Sequence, residues 1–187
     1  MRHNPLYKEV RNWIYRNARE IELTLWKYFF EKGKEEDVLN ALAVYQNDGG
    51  GFGHALEADN WNPHSSPYTT LHAINLLKSI GYSNLNHPIY AGIIKYLHSE
   101  EHLMEYGWRF NIPTNDNYPH APWWNYNEEA NHTESIGLSA ELASFVLENI
   151  SKDSNLYKKV LNIVDNLIKK ILSEEKFGEM GIGGFII

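Results

Sequence analysis

The chain has 187 residues, 43% of them hydrophobic and none of them cysteine, and a formal net charge of −7. That length suits a single domain spanning 1–187 with its own core, and the missing cysteines exclude disulfides, thiolate catalysis and Cys-ligated zinc. Basic residues are scattered among acidic ones, so nucleic acid is not an expected partner. There is no run of about eighteen apolar residues and no signal-like N-terminus, so no membrane span is expected and the cytoplasm is the expected compartment.

Apolar periodicity predicts helices almost throughout and no strand. Leu6, Val10, Trp13, Ile14, Ala18, Ile21, Leu25, Tyr28 and Phe29 recur at helical steps, which predicts one long, one-sided first helix closed by Gly33. Val38, Leu39, Leu42, Ala43 and Gln46 continue as a second helix. Ser66 as N-cap and Pro67 in the first turn open a third, which Gly81 ends. A fourth opens near Pro88, a fifth around Thr133, and a sixth after Ser154. The expected fold class is all-α: an array of about three α/α hairpins.

The linkers alternate between short and long. Asn47 to Ser65, His102 to His132 and Phe177 to Ile187 are long, and in an up-down array they share one end. They are expected to crowd one rim above helix N-termini, where the helix dipole favours negative charge. Aromatic content is 13%, with 6 Trp and 12 Tyr, and much of it falls in these linkers.

The first linker opens with Tyr45-Gln46-Asn47-Asp48-Gly49-Gly50-Gly51-Phe52-Gly53. Successive glycines permit positive φ or a close backbone approach. Gln46 can hydrogen-bond exposed backbone groups, and Phe52 is a buried anchor just past the turn. A weak internal echo links Pro67–Ile74 with His132–Leu138, and Phe177–Phe185 with Gly49–Gly53, at a period of roughly 60 residues that suits helical hairpins.

The spacing Gln46-x-x-x-Gly50-x-Phe52 resembles the QxxxGxW repeat of the terpenoid cyclase and protein prenyltransferase superfamily, with Phe in place of Trp. The resemblance implies an α/α toroid, a ring of about six hairpins around a cavity. This chain would form a partial toroid, about half of that ring. Its open edge would be explained if the chain were a short relative of a longer protein. The other explanation is that two copies pair and cover each other's edges, and a homodimer is expected, with the apolar ending Ile182-Gly183-Gly184-Phe185-Ile186-Ile187 as the motive.

The chemistry-bearing residues concentrate on the expected rim. His54, Glu57 and Asp59 form the candidate catalytic set, with Trp61 and His64 beside them. Carboxylates two residues apart with flanking histidines can move a proton, hold a divalent ion or bind a polar substrate. They can equally cap helices or tie down a loop. The superfamily's proton-initiated cyclases use an acidic DxDD motif, which Glu57-x-Asp59-Asn60 matches in part. The second cluster holds Trp108, Phe110, His120, Trp123, Trp124 and Tyr126. Proline-bracketed rings can stack on sugar faces, stabilise a cation or line an apolar cavity, and Trp108 and Phe110 can instead serve as the loop's own core.

No cofactor and no metal are expected. A zinc site would require three or four of His54, His64, His72, His120 and His132 to converge with Asp59 or Glu134, and no pair of these shows an HxH or HxxxH spacing on a helix. Three function classes follow. The resemblance implies an enzyme acting on an apolar, isoprenoid-like small molecule. The Trp, Tyr, Asn, His and Glu composition suits a carbohydrate-binding or carbohydrate-active protein that takes a glycan ligand. The third class is a non-catalytic scaffold. An isoprenoid reading requires a closed, mostly apolar cavity, and a glycan reading an open groove floored by Trp123 or Trp124 with carboxylates beside it.

Overall fold

The computed structural model describes residues 4–173. The glycine-rich ending at 177–187, which carried the third linker and the motive for a homodimer, lies outside the described residues. Among those residues the fold is all-α: seven α-helices, two short 3-10 turns and a single two-stranded hairpin. No described helix is long and apolar enough to cross a membrane. The backbone divides into two compact units, one up to Val44 and one from Tyr45 onward.

The first unit holds α1 (Pro5–Asn17), α2 (Glu20–Glu31) and α3 (Glu35–Ala43). The single long helix expected here is two helices, because Ala18 and Arg19 are extended. Local chemistry favours the break. The Asn17 side chain donates to the Trp13 carbonyl, Ala18 N–H closes on Ile14, and Glu20 and Glu22 supply the negative first turn that a new helix prefers. Apolar periodicity continues through the break, which is why periodicity alone passes over it. The left-handed residue ending α2 is Lys32 (φ 63°), not Gly33. Gly33 is needed for a different reason: its N–H bonds Lys27 O at 2.8 Å, and a β-carbon there would press on the Lys27 backbone.

The α1–α2 pair is tied by one carboxylate. Glu31 accepts from Arg11 Nε at 2.5 Å, Tyr15 OH at 2.5 Å and Trp26 Nε1 at 3.0 Å. Burial pushes the Glu31 carboxyl up, but the bonds from Tyr15, Trp26 and Arg11 outweigh it and hold it at about 2.

The second unit contains α4 (Pro67–Ser79), α5 (Pro88–Ser99), the β1–β2 hairpin (Leu103–Met104 with Gly107–Trp108), α6 (Glu128–Asn149) and α7 (Asn155–Ser173). Ser66 caps α4 through Thr69 N–H, and Gly81 (φ +72°) ends it, as the sequence predicts. Helix α6 begins about one turn before the expected Thr133, because Asn127 caps it by accepting from Glu129 and Ala130 N–H. Helices α6 and α7 pack closely through Ile136, Ile163 and Leu167, and α4 lies against α6. The β hairpin is the unexpected element. It sits on α6 because Gly107 presses against the small Ser139 side chain, whose hydroxyl accepts from Trp108 N–H at 2.8 Å.

The glycine-rich stretch is a backbone joint. Gln46 lies beyond α3 rather than within it, and it bridges to Phe52. Its Nε2 donates to Gly50 O at 2.8 Å and Ile89 O at 3.0 Å, which ties the turn to the start of α5. Gly50 (φ +92°) lies against the Gly92 backbone, and Gly92 in turn has Gln46 packed over its α-carbon. Phe52 is fully buried and its N–H donates to Thr70 Oγ1 at 3.1 Å.

Two predictions follow from this architecture. Gly50→Ala places a side chain at positive φ and drives it into the Gly92 carbonyl, so it should destabilise by at least about 1–2 kcal/mol, read from the denaturant midpoint. The Glu31 carboxyl lies below its unfolded value, so its contribution to stability is complete above about pH 4.5 and is lost as pH falls toward 2. Glu31→Gln should therefore lower the melting temperature at neutral pH and flatten the acid limb of a melting-temperature-against-pH profile between about pH 5 and 2.

Candidate functional site

Two long loops of the second unit, residues 47–65 and 102–127, meet side by side. Asn60 pairs with His120 as an isolated bridge, Trp61 N–H donates to Pro119 O at 2.9 Å, and Ala121 N–H donates to Asp59 O at 2.8 Å. The shared end expected for these two linkers is therefore present.

Buried asparagines join the loops to each other and to α6. Asn115 Oδ1 accepts from Asn62 Nδ2 at 2.8 Å, while Asn115 Nδ2 donates to Trp124 O at 3.1 Å. Asn131, on the second turn of α6, accepts from the N–H groups of Phe110 and Asn111 at 2.7 and 3.0 Å. Its Nδ2 returns a bond to Asn111 O at 3.0 Å. A buried backbone without a ladder partner is costly, and a primary amide, with both donors and an acceptor, can satisfy both of its groups at once.

The space between the loops is a half-open cleft of about 660 Å³, within the size range of small-molecule sites. Its floor is aromatic: Phe110 stacks on Trp124 at 5.3 Å, and Tyr68, in the first turn of α4, meets Trp124 edge-on at 4.7 Å. Glu57, Asp59 and Glu134 bring carboxylates to the lining, and Asn111, Asn125 and Asn127 complete its polar part. Asp59 Oδ1 accepts from Trp124 Nε1 at 2.7 Å, so the carboxylate and the floor hold each other in place. Glu57 Oε2 accepts from His72 Nδ1 at 2.9 Å. Burial, followed by the charges of Glu57 and Asp59, raises the Tyr68 hydroxyl to about 12, so Tyr68 enters the cleft as a neutral phenol.

Of the residues singled out from the sequence, Glu57, Asp59, Trp123 and Trp124 come together in this cleft. The two tryptophans divide the work: Trp124 is buried in the floor, while Trp123 is 64% exposed. The other candidates lie elsewhere. Trp108, expected among the ligand-binding aromatics, is 0% exposed and belongs to the core, because Ser139 and the β hairpin draw it inward. His54 is spent on Asn47 Oδ1 at 2.8 Å and does not line the cleft with Glu57 and Asp59. Trp61 is exposed and bonded to Ala58 O, and His64 lies against the Tyr118 ring. His120 Nδ1 donates to Tyr118 O at 2.6 Å, and its Nε2 pairs with Asn125 Oδ1 at 2.8 Å. Those bonds, the Tyr118 carbonyl's first, raise its pKa and make it a strut beneath the loop. Tyr126 is engaged by Arg109 and Glu128 outside the cleft.

Tyr68 and Asn111 were not among the expected site residues, and Glu134 was considered only as a possible zinc ligand. The start of α6 was placed too late, at Thr133. The signal was legible in Asn127-Glu128-Glu129, a capping amide followed by an acidic first turn. Among the described residues, no group of three or more His, Asp or Glu is placed to hold a metal ion.

The loop that presents Glu57 and Asp59 is held in an unusual backbone conformation. His54 (φ 55°) and Ala55 (φ 61°) are successive non-glycine residues in the left-handed region. His54 N–H donates to Asn62 O at 3.0 Å and Leu56 N–H to Gly53 O at 3.0 Å, closing the loop over the buried Leu56. Each left-handed residue of this kind costs about 1–2 kcal/mol. Ala55→Gly should accordingly leave the fold intact and raise stability by up to about 1 kcal/mol, measured by thermal or denaturant melting. Compared with known protein families, curated proteins and solved structures, the chain matched none.

Proposed function

We propose that the cleft binds a carbohydrate. The observation that carries this reading is the placement of Trp123, 64% exposed, beside a cleft lined by Glu57, Asp59 and Glu134. A sugar ring has apolar C–H faces and an equatorial rim of hydroxyl donors. A rigid exposed indole accepts the face, and carboxylates accept the rim. The neighbouring Pro122 and the 3-10 turn Pro122–Trp124 hold the indole's backbone, so little conformational entropy is lost on binding. If a bound chain is also hydrolysed, Glu57 and Asp59 are the acid and base available for it.

The isoprenoid reading implied by the QxxxGxW resemblance is less well supported by the same geometry. It asks for an enclosed, mostly apolar cavity. A prenyl diphosphate would meet three carboxylates in a lining without lysine or arginine.

The test is calorimetric titration with neutral oligosaccharides and, in parallel, with a prenyl diphosphate. Saccharide binding is expected to weaken about tenfold or more in Trp123→Ala, while the melting temperature stays close to wild type because this side chain is exposed. Heat from the diphosphate and none from any saccharide would overturn the proposal.

A further inference from the structure

Beside the seam where α6 and α7 pack, the two helices leave an apolar face uncovered among the described residues. A groove of about 520 Å³ runs between them, walled by Ala140, Ser144 and Leu147 from α6 and by Val164 and Ile168 from α7. Leu161, Ile168 and Leu172 follow one another along α7 at steps of seven and four residues, and all three are exposed, Leu172 to 82%. With Val164 between them they make one helical stripe along the groove. A lone exposed leucine needs no explanation, whereas a continuous apolar stripe beside a groove marks an interaction surface. The borders of this face carry opposite charges. Glu148, in the last turn of α6, lies on one side and accepts from Ser144 Oγ at 3.2 Å. Lys158, in the first turn of α7, falls by helical spacing on the far side of the stripe, on a border that also carries Asp165 and Lys169. Glu148 and Lys158 are both exposed, and neither is in an ion pair among the described residues. Because α7 begins six residues after α6 ends, they stand at the same end of the face.

We propose that a second copy of this chain covers the face, α6 and α7 of one copy against α7 and α6 of the other, in a symmetric homodimer. A two-fold axis along the groove lays each α6 on the other copy's α7. It sets Glu148 of each copy against Lys158 of the other, twice, and brings each apolar stripe onto the opposite groove. A lipid headgroup layer or a peptide of one charge sign answers one border and is repelled by the other, whereas a second copy carries both signs in the required places. The available area suits a modest affinity. At about 1.5 Å per residue the 19 residues of α7 extend about 28 Å, and two helices packed about 9 Å apart present a face about 18 Å wide. Pairing therefore buries about 500 Å² on each copy and about 1,000 Å² together, the lower end of the range for specific interfaces. The homodimer expected from the sequence had its motive in the ending at 177–187, and this surface is a different one.

The experiment is sedimentation velocity of the full chain from about 1 to 200 μM, where a monomer–dimer equilibrium with a micromolar dissociation constant is expected. Ile168→Asp should weaken it about tenfold or more, while the melting temperature of the monomer stays close to wild type because this side chain is exposed. Lys158→Glu and Glu148→Lys each place like charges together twice, so each should weaken association about fivefold or more at low salt and less at high salt. An equimolar mixture of those two variants restores both attractions and should associate within about twofold of wild type. A monomer throughout the range, or a dimer indifferent to Ile168→Asp, would overturn the proposal. Charge reversals without effect, or losses that mixing does not repair, would overturn it as well, and would assign the face to another occupant, the chain's own 174–187 or a different protein.

Discussion

A long loop can stay folded above a helical layer only if its buried backbone groups find partners, and here asparagine side chains supply them. Asn115 and Asn62 join the two loops, Asn111 ties its own loop together, and Asn131 holds the 110–111 backbone on α6. Each has donor and acceptor capacity in one short side chain, so one residue can serve two strands of chain that form no ladder together. Buried networks of this kind rigidify when satisfied and are costly where a member is not. Among these asparagines, Asn111 Oδ1 alone is buried without a partner among the described residues.

The cleft inherits its character from that scaffold. With the loop backbones held, Phe110 and Trp124 can stack as a floor, Asp59 can clamp the indole N–H, and Trp123 is left facing outward. The left-handed pair His54-Ala55 turns the chain so that Leu56 is buried while Glu57 reaches the cleft. An acceptor-rich, aromatic-floored cleft is the sum of these local choices.

In the first unit a single carboxylate has a comparable role. Glu31 gathers Arg11, Tyr15 and Trp26 and thereby fixes α1 against α2. The α1 helix has no buried residue of its own, so polar convergence rather than core burial defines its position in the hairpin.

Much of the helical layout was legible because it depends on near neighbours. Ser66-Pro67 before an apolar period, Gly81 after it, and Pro88 ahead of the next period mark α4 and α5 through local sterics and capping alone. The break at Ala18-Arg19 was not legible from periodicity, since the apolar spacing runs through it unchanged. The β hairpin was missed because four residues of strand depend on Ser139, far along the chain, to make room for Gly107.

The site divides in the same way. From the sequence alone came the all-α class, the two aromatic- and carboxylate-bearing loops at one end, and Glu57, Asp59, Trp123 and Trp124 as candidates, because turn chemistry and side-chain type are properties of short segments. Which tryptophan faces in, why Trp108 is core and His120 a strut, and how Tyr68, Asn111 and Glu134 join the lining were decided only in three dimensions. Those outcomes depend on hydrogen bonds and packing between residues separated by up to about 65 positions, such as Asp59 with Trp124, and no local propensity encodes such a contact.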